Sequence, residues 1–465
     1  MQCIIRKKAE VKKWKEGRAM GKKKNPGVII VVSFLCVAII GILLLSLPCM
    51  TTDGQGLGFS DAAFMAVSGS CIIGLSVIDV STDLTFWGQL VLLGLIQTGG
   101  VGFMTLATSV FAALGIRMGF SYRNIMKESL NHNTYYDIFS LTLTVVRYTF
   151  LIEGIGAVLL ALRFVPLFGW ARGLWYSIFH AVSAFNNAGF DLFGNSLESF
   201  VGDWYVNAVF MFLIIIGGMG FVVILELITQ WRRKEEPFEF VRFSLHTKVV
   251  LIITALLLGV GTIAYLVIEF NNPATLGPLP LDEKLLAAMF QSVTSRTAGF
   301  STIVLGDMQD SSILIMMFLM FVGGSPGSTS GGIKTTTFGI VLLAVYAVVR
   351  GREELVVLGR RISVPTILKS LAVIVVSMML ILTSLISLSL VENTSLLQLA
   401  FEVISAFSTT GASIGATTQL SIIGKFILML TMFLGRIGPL TIMLALTVKS
   451  KKSKLQYPEG QIMIG

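Results

Sequence analysis

The segment AVSGSCIIGLS at residues 66–76 returns three times, as AVSAFNNAGFD at 181–191, SVTSRTAGFST at 292–302 and VISAFSTTGAS at 403–413. The four align without a gap about one glycine, Gly74, Gly189, Gly299 and Gly411, repeating at roughly 112 residues. Ten positions before each glycine stand Phe64, Phe179, Met289 and Phe401, on the apolar half of a short helix. The stretches leading into the glycines, 60–71, 173–186, 282–295 and 395–407, are apolar. They are shorter than the roughly 20 residues a helix needs to cross hydrocarbon. Each is therefore predicted to be a re-entrant helix followed by extended chain. Ser60, Asp282 and Ser395 stand where an N-cap would start three of them.

Outward from these segments the chain is strongly apolar. Hydrophobic residues make up 54% of its 465 residues and charged residues 13%, with a mean hydropathy of +0.83. Soluble domains carry about 25% charge. Apolar stretches near 27–49, 86–114, 138–162, 204–230, 247–270, 312–349, 366–390 and 422–447 reach spanning length. The expectation is an all-α integral membrane protein with eight spanning helices, built as four tandem units of helix, pore loop and helix around a pseudo-fourfold pore. The divisions are a basic tail at 1–24, repeat 1 at 25–115, repeat 2 at 138–232, repeat 3 at 247–350 with an intramembrane loop at 323–334, repeat 4 at 366–448, and a tail at 449–465.

Charge sets the expected orientation. The first 24 residues hold ten bases, from Arg6 to Lys24, against Glu10 and Glu16. Further bases cluster at Arg117, Arg123 and Lys127, at Arg232, Arg233 and Lys234, at Arg350, Arg352, Arg360 and Arg361, and at Lys449, Lys451, Lys452 and Lys454. The positive-inside rule makes these turns and both termini cytoplasmic in a multi-pass plasma-membrane protein. The first apolar stretch is long and has no small-residue cleavage site after it, so it reads as a retained helix. Beside a membrane span, topology and anionic lipid account for the basic tail. Lipid is thus an expected partner and nucleic acid is not. The opposite face carries Asp53, Asp61, Asp79, Asp83, Asp191, Glu198, Asp203, Asp282, Glu283, Asp307, Asp310 and Glu392. Such a face concentrates cations, although topology bias alone gives the same asymmetry.

Catalytic signatures do not appear. The four cysteines, at 3, 36, 49 and 71, lack metal or disulfide spacing. Histidine numbers three, and no phosphate loop, zinc signature or nucleophile elbow is present. The chain is expected to be neither an enzyme nor the holder of a bound cofactor.

A re-entrant helix entered from outside aims its carbonyl end at the membrane centre, and four such ends favour a cation there. Non-helical backbone is tolerated at that depth only where it is buried in protein or lines water. Glycine permits positive φ, so consecutive carbonyls can turn toward one axis, and rings of carbonyls replace the hydration shell of potassium. A lone glycine would fit a close helix contact equally well; four at equal spacing point to a filter. Below it, the stretch 312–349 is too long for one straight helix. It is interrupted by Gly323, Gly324, Ser325, Pro326, Gly327, Ser328, Thr329, Ser330, Gly331 and Gly332. A proline among so many small residues cannot hold a helix, so an irregular intramembrane loop, read as a mobile gate, is expected. Arg436 lies near the middle of the last apolar stretch, where a charge needs a partner or the pore; Glu153 and Glu226 are the candidate acids for an ion pair. Lys334 either lines the gate or snorkels to the cytoplasmic interface. Arg296 is expected to brace the filter from behind.

The four repeats, with VTSRTAGFST in the third, GGSPGSTSGGIKT at 323–335, FLGRIGPLT at 433–441 and the ending YPEGQIMIG at 457–465, resemble the Trk/Ktr/HKT superfamily of potassium transporters over essentially the whole chain. The likeness is greatest to the membrane subunit of bacterial Ktr-type systems. The resemblance implies potassium as transported ion, a homodimer of pores, and a cytosolic ring of nucleotide-binding regulatory subunits. It places the filter carbonyls around the repeated glycine, on Ile72, Ile73 and Gly74, Asn187, Ala188 and Gly189, Thr297, Ala298 and Gly299, and Thr409, Thr410 and Gly411. Side chains so varied leave backbone oxygens as the common ligands. Family members that favour sodium often carry serine at the first of these glycines, whereas this chain has Gly74. A tightly sodium- or proton-coupled symporter, with sodium as coupling or activating ion and Glu153 as a candidate acid, is the alternative.

Overall fold

The computed structural model describes residues 26–102, 138–231, 240–352 and 354–438. The tails, the bases at Arg117, Arg123, Lys127, Arg232, Arg233 and Lys234, and the ends of two apolar stretches, 103–114 and 439–447, lie outside the described residues. Fourteen α-helices are described: α1 (Pro26–Leu45), α2 (Phe59–Ser70), α3 (Phe86–Val101), α4 (Ile138–Phe168), α5 (Trp170–Phe185), α6 (Trp204–Met219), α7 (Phe221–Trp231), α8 (Leu245–Glu269), α9 (Leu281–Thr294), α10 (Asp310–Phe321), α11 (Thr335–Val349), α12 (Val364–Ser389), α13 (Leu396–Ser408) and α14 (Ile422–Ile437). A two-stranded ribbon, β1 (Val356–Val357) against β2 (Arg360–Arg361), joins α11 to α12.

Each unit has a first helix (α1, α4, α8, α12), a short one (α2, α5, α9, α13) and a third (α3, α6, α10, α14). Polar caps start three of the four third helices: Thr85 accepts from Gly88 N, Asp203 from Tyr205 N and Val206 N, and Ser421 from Gly424 N. The short helix of one unit packs on the third helix of the unit before it, α5 on α3, α9 on α6 and α13 on α10, and α2 packs on α14, so the ring closes. An ion pair from Lys425 Nζ to Asp61 Oδ1 at 2.7 Å joins that last seam.

The outer wall is apolar. Leu43, Leu162, Val267, Met379 and Phe426 are between 62% and 71% exposed, as lipid-facing side chains are. Trp87, Trp170 and Trp204 stand exposed at the starts of their helices, the position of an interfacial aromatic belt.

Three described helices are each long and apolar enough to cross a membrane, over Leu143–Phe168, Leu245–Glu269 and Val364–Ser389. A fourth arises only if α6 and α7, bent by 105° about Gly220, count as one span. Eight apolar stretches, one of them already expected to break at 323–332, thus correspond to three or four such helices among the described residues. Within the described residues α3, α6 and α14 each end at a glycine, Gly102, Gly220 and Gly438, whose φ of 83°, 90° and 85° leaves the helical region.

Two further expectations need correction. Ser395 caps α13, but α2 is capped at Gly58 and α9 at Pro280, which places Ser60 and Asp282 inside the first turn. The ungapped alignment also fails in the third repeat. Ile73 N, Ala188 N and Thr410 N donate to Ser68 O, Ser183 O and Ser405 O, whereas Ala298 N donates to Thr294 O, one residue nearer its glycine. Accordingly Phe290, not Met289, joins Phe64, Phe179 and Phe401 as a fully buried ring.

Gly99, Gly217 and Gly435 let the third helices lie directly on the ends of the short ones. A Cβ on any of them would come within 3.0 Å of the carbonyl oxygen of Ser70, Phe185 or Phe407 respectively. Gly217→Ala should therefore lower the thermal midpoint of the purified protein, by an amount matching the roughly 1–3 kcal/mol of an overpacked contact. Gly94→Ala, whose added methyl meets nothing within 4 Å, should leave it unchanged; equal midpoints for the two would refute this account of the helix crossing.

Candidate functional site

The backbone turns left-handed after every short helix, two residues before the repeated glycine and again at it. The first set is Ile72 (φ 56°), Asn187 (56°), Thr297 (76°) and Thr409 (56°); the glycines have φ of 93°, 71°, 83° and 84°. A side chain in this region costs about 1–2 kcal/mol, so the four non-glycine residues hold a conformation that their surroundings enforce. Hydroxyls supply part of that enforcement: Ser68 Oγ donates to Leu75 O at 2.7 Å, Ser183 Oγ to Phe190 O at 2.8 Å and Thr294 Oγ1 to Phe300 O at 2.6 Å.

The four turns meet in order round a point. A Cβ on Gly74 would fall within 3.0 Å of Ala188 O, one on Gly189 of Ala298 O, one on Gly299 of Thr410 O, and one on Gly411 of Ile73 O. Ile72, Ile73, Asn187, Ala188, Thr297, Ala298, Thr409 and Thr410 are at most 1% exposed. Of the twelve candidate residues only the glycines are partly open. The open side faces a pocket of about 280 Å³ that Gly74, Gly189, Ser76, Asp79, Asp191 and Thr418 help to line. Farther out, burial and then the neighbouring Asp191 and Asp307 charges push the Glu198 carboxyl above the usual range, a mark of how densely acids sit on this face.

The loop between α10 and α11 lies against the buried side of the turns. Gly323 packs on Thr297 and Gly331 on Thr409, and the Asn187 amide is hydrogen-bonded to Ser330 Oγ at 3.0 Å. The loop is also laced to the end of α6 and the start of α7: Ser325 N donates to Gly218 O at 2.9 Å, Thr329 N to Gly217 O at 3.3 Å and Phe221 N to Gly327 O at 2.9 Å. Internally, Ser328 Oγ donates to Ser325 O, and Thr335 N to Gly324 O. Pro326 O lies beneath Gly220, and Gly332, with φ 65°, turns the chain back toward α11.

Three cations touch this loop through backbone carbonyls. Arg436 Nη1 donates to Thr329 O and Nη2 to Gly99 O at 2.6 Å, bridging the loop to the end of α3. Neither acid considered from the sequence is its partner. Glu153 accepts from Gln97 Nε2 at 3.0 Å and Asn186 Nδ2 at 2.8 Å, and Glu226 accepts from Ser244 and Thr247. Lys334 Nζ turns back to Ser330 O at 2.7 Å, and Arg296 Nη2 donates to Gly323 O at 3.3 Å. The glycine breaks at 102, 220 and 438 escaped the sequence reading, although TGGVGF at 98–103, GGMGF at 217–221 and GRIGP at 435–439 carry the same spacing.

Membrane-type helices carrying a ring of backbone turns, with an irregular loop beneath it, define a helical membrane protein of the kind that moves ions. The chain belongs to the TrkH family of cation transport proteins, whose match spans residues 1–456. It is 41% identical over 441 residues to the Ktr system potassium uptake protein B of Bacillus subtilis, covering 95% of this chain and 97% of that one. It is 38% identical to the potassium/sodium uptake protein NtpJ of Enterococcus hirae, covering 96% and 98%. Its fold matches the crystal structure of the potassium transporter TrkH from Vibrio parahaemolyticus with a TM-score of 0.69 at 19% identity, over 92% of this chain and 86% of that one.

Arg436→Gln removes the charge and at least one of the two bonds that hold Thr329 O and Gly99 O together. The expected outcome is a correctly assembled protein with a higher cation flux into liposomes, while Arg436→Lys stays nearer wild type. A Gln variant that loses thermal stability with no gain in flux would make the arginine a purely structural tie.

Proposed function

We propose that this protein takes up potassium across the plasma membrane, through a filter made by the backbone of residues 72–74, 187–189, 297–299 and 409–411 and gated by the loop at 323–334 together with Arg436. One observation carries this reading: four left-handed turns, each ending in a glycine at which a Cβ would meet a carbonyl oxygen of another turn, come together in cyclic order at one point. Backbone carbonyls gathered so closely are unfavourable unless a cation or water satisfies them. The name of the Bacillus subtilis relative supports potassium as that cation.

In this reading the chain makes eight crossings around a pseudo-fourfold pore, several of them by broken helices, with both termini cytoplasmic. The short helices α2, α5, α9 and α13 are its pore helices. Two such pores pair as a homodimer on a cytosolic ring of nucleotide-binding subunits, the arrangement suggested by resemblance to Ktr-type systems and by the word system in the relative's name. A second reading, tight coupling to sodium or protons, is favoured by the name of the Enterococcus hirae relative and by the buried Glu153 carboxyl, which lies behind the second turn through Asn186. Potassium uptake that persists at full rate without sodium and without a proton gradient would dismiss it.

The test of the main reading is uptake in a potassium-transport-deficient cell, with and without a regulatory subunit. Wild type should restore growth at low potassium. Gly74→Ser should reduce the preference for potassium over sodium, because a side chain there collides with Ala188 O and strains φ 93°. Unchanged flux and selectivity in this variant and its companions at Gly189, Gly299 and Gly411, at normal membrane levels, would remove the filter assignment.

A further inference from the structure

The short helices present one shared rung to the chain that leaves the glycines outward. Nine residues before Gly74, Gly189 and Gly411 stand Met65, His180 and Glu402. Each accepts a hydrogen bond from the outgoing chain of its own repeat. Met65 Sδ accepts from Ser76 Oγ at 3.3 Å, and His180 Nε2 accepts from Leu192 N at 3.2 Å. Glu402 makes the fullest set: Oε1 accepts from Ser413 Oγ at 2.6 Å and Ile414 N at 3.3 Å, and Oε2 from Thr417 Oγ1 at 2.5 Å. The third repeat departs from the pattern. There Gln291 turns to Met316 Sδ, and the outgoing chain is tied instead to its neighbour by Ser301 N to Ser196 Oγ at 2.9 Å and Leu197 N to Ser301 O at 2.8 Å.

His180 and Glu402 are both fully buried. His180 also bonds Tyr176 O through Nδ1 at 2.7 Å and stacks on Phe193 at 4.4 Å between centroids. With Nε2 accepting from an N–H, the proton belongs on Nδ1, and the ring is a neutral strut fixed at both nitrogens. A buried carboxylate is costly unless its oxygens are hydrogen-bonded, and the hydrogen bonds to Glu402 come from residues 413–417. Its bonds therefore set where the chain goes just beyond Gly411.

We propose that Glu402 and His180 are positioning residues for ion selectivity: they hold the outgoing chain of repeats 4 and 2, and through it the carbonyls at Gly411 and Gly189. This inference rests on the filter reading given above. The role is geometric rather than one of charge, so an isosteric acceptor should serve in place of the carboxylate.

The experiment measures the potassium-to-sodium flux ratio in proteoliposomes. Glu402→Ala should lower the ratio about tenfold, the factor carried by one buried hydrogen bond left unmade. Glu402→Gln keeps Oε1 toward Ser413 and Ile414, lets the Thr417 hydroxyl turn to accept, and should restore most of the ratio. His180→Phe keeps volume and stacking but loses the acceptor for Leu192 N, and should lower the ratio as well. Should Glu402→Ala fail to fold, Ser413→Ala combined with Thr417→Val removes the same bonds from the other side, with the same expected loss. An unaltered ratio in the folded variants, or a Gln variant as impaired as Ala, overturns the strut. Gly411→Ser is the control: if it too leaves the ratio unchanged, the filter reading itself fails, whereas a drop with Gly411→Ser alone removes only the inference about Glu402 and His180.

Discussion

The close approach of four backbone turns, with a carbonyl oxygen of each repeat against the glycine of the repeat before it, is the constraint on which the rest of this structure depends. Carbonyls gathered at one buried point repel one another, and the elements around them hold them there. The short helices direct their carbonyl ends toward the meeting point. Glycines at 99, 217 and 435 allow the third helices to press on those ends, and the closed ring of short-on-third helix contacts prevents the turns from spreading.

The loop beneath the turns is held differently, by a few bonds from cationic side chains to carbonyls. Burying a guanidinium in a membrane helix costs about 2.5–3.5 kcal/mol, and each hydrogen bond from a charged donor returns about 1.5–3 kcal/mol. The two bonds of Arg436, one to the loop and one to α3, therefore meet the cost of its burial. The remaining ties, from α6 and within the loop itself, confine where the loop can go.

Much of this was legible in one sequence. Equal spacing of Gly74, Gly189, Gly299 and Gly411 located all four turns, since nothing but a shared backbone conformation requires glycine at four matching positions among unlike neighbours. The run from Gly323 to Gly332 marked the irregular loop because so many breakers cannot form a helix. Other features were misread for identifiable reasons. Hydropathy does not register a break that occupies a single residue, so Gly102, Gly220 and Gly438 passed as parts of continuous spans. The third repeat is one residue shorter between helix and glycine, and an ungapped alignment hid the exchange of Met289 for Phe290.

By itself the sequence determined the solvent in which the chain folds, the number of units, and the positions where side chains are forbidden, because composition, period and glycine act locally. Only the tertiary structure decided which groups meet. From sequence Arg436 could face the pore or pair with Glu153 or Glu226; it lies on Thr329 O and Gly99 O, and a backbone carbonyl leaves no trace in residue type. In the same way Glu402, an unremarkable acid in a short apolar helix, finds three donors supplied by residues 413–417. The chain must first descend, turn at Gly411 and return before those donors stand beside it, and that return path is set by packing rather than by the residues along it.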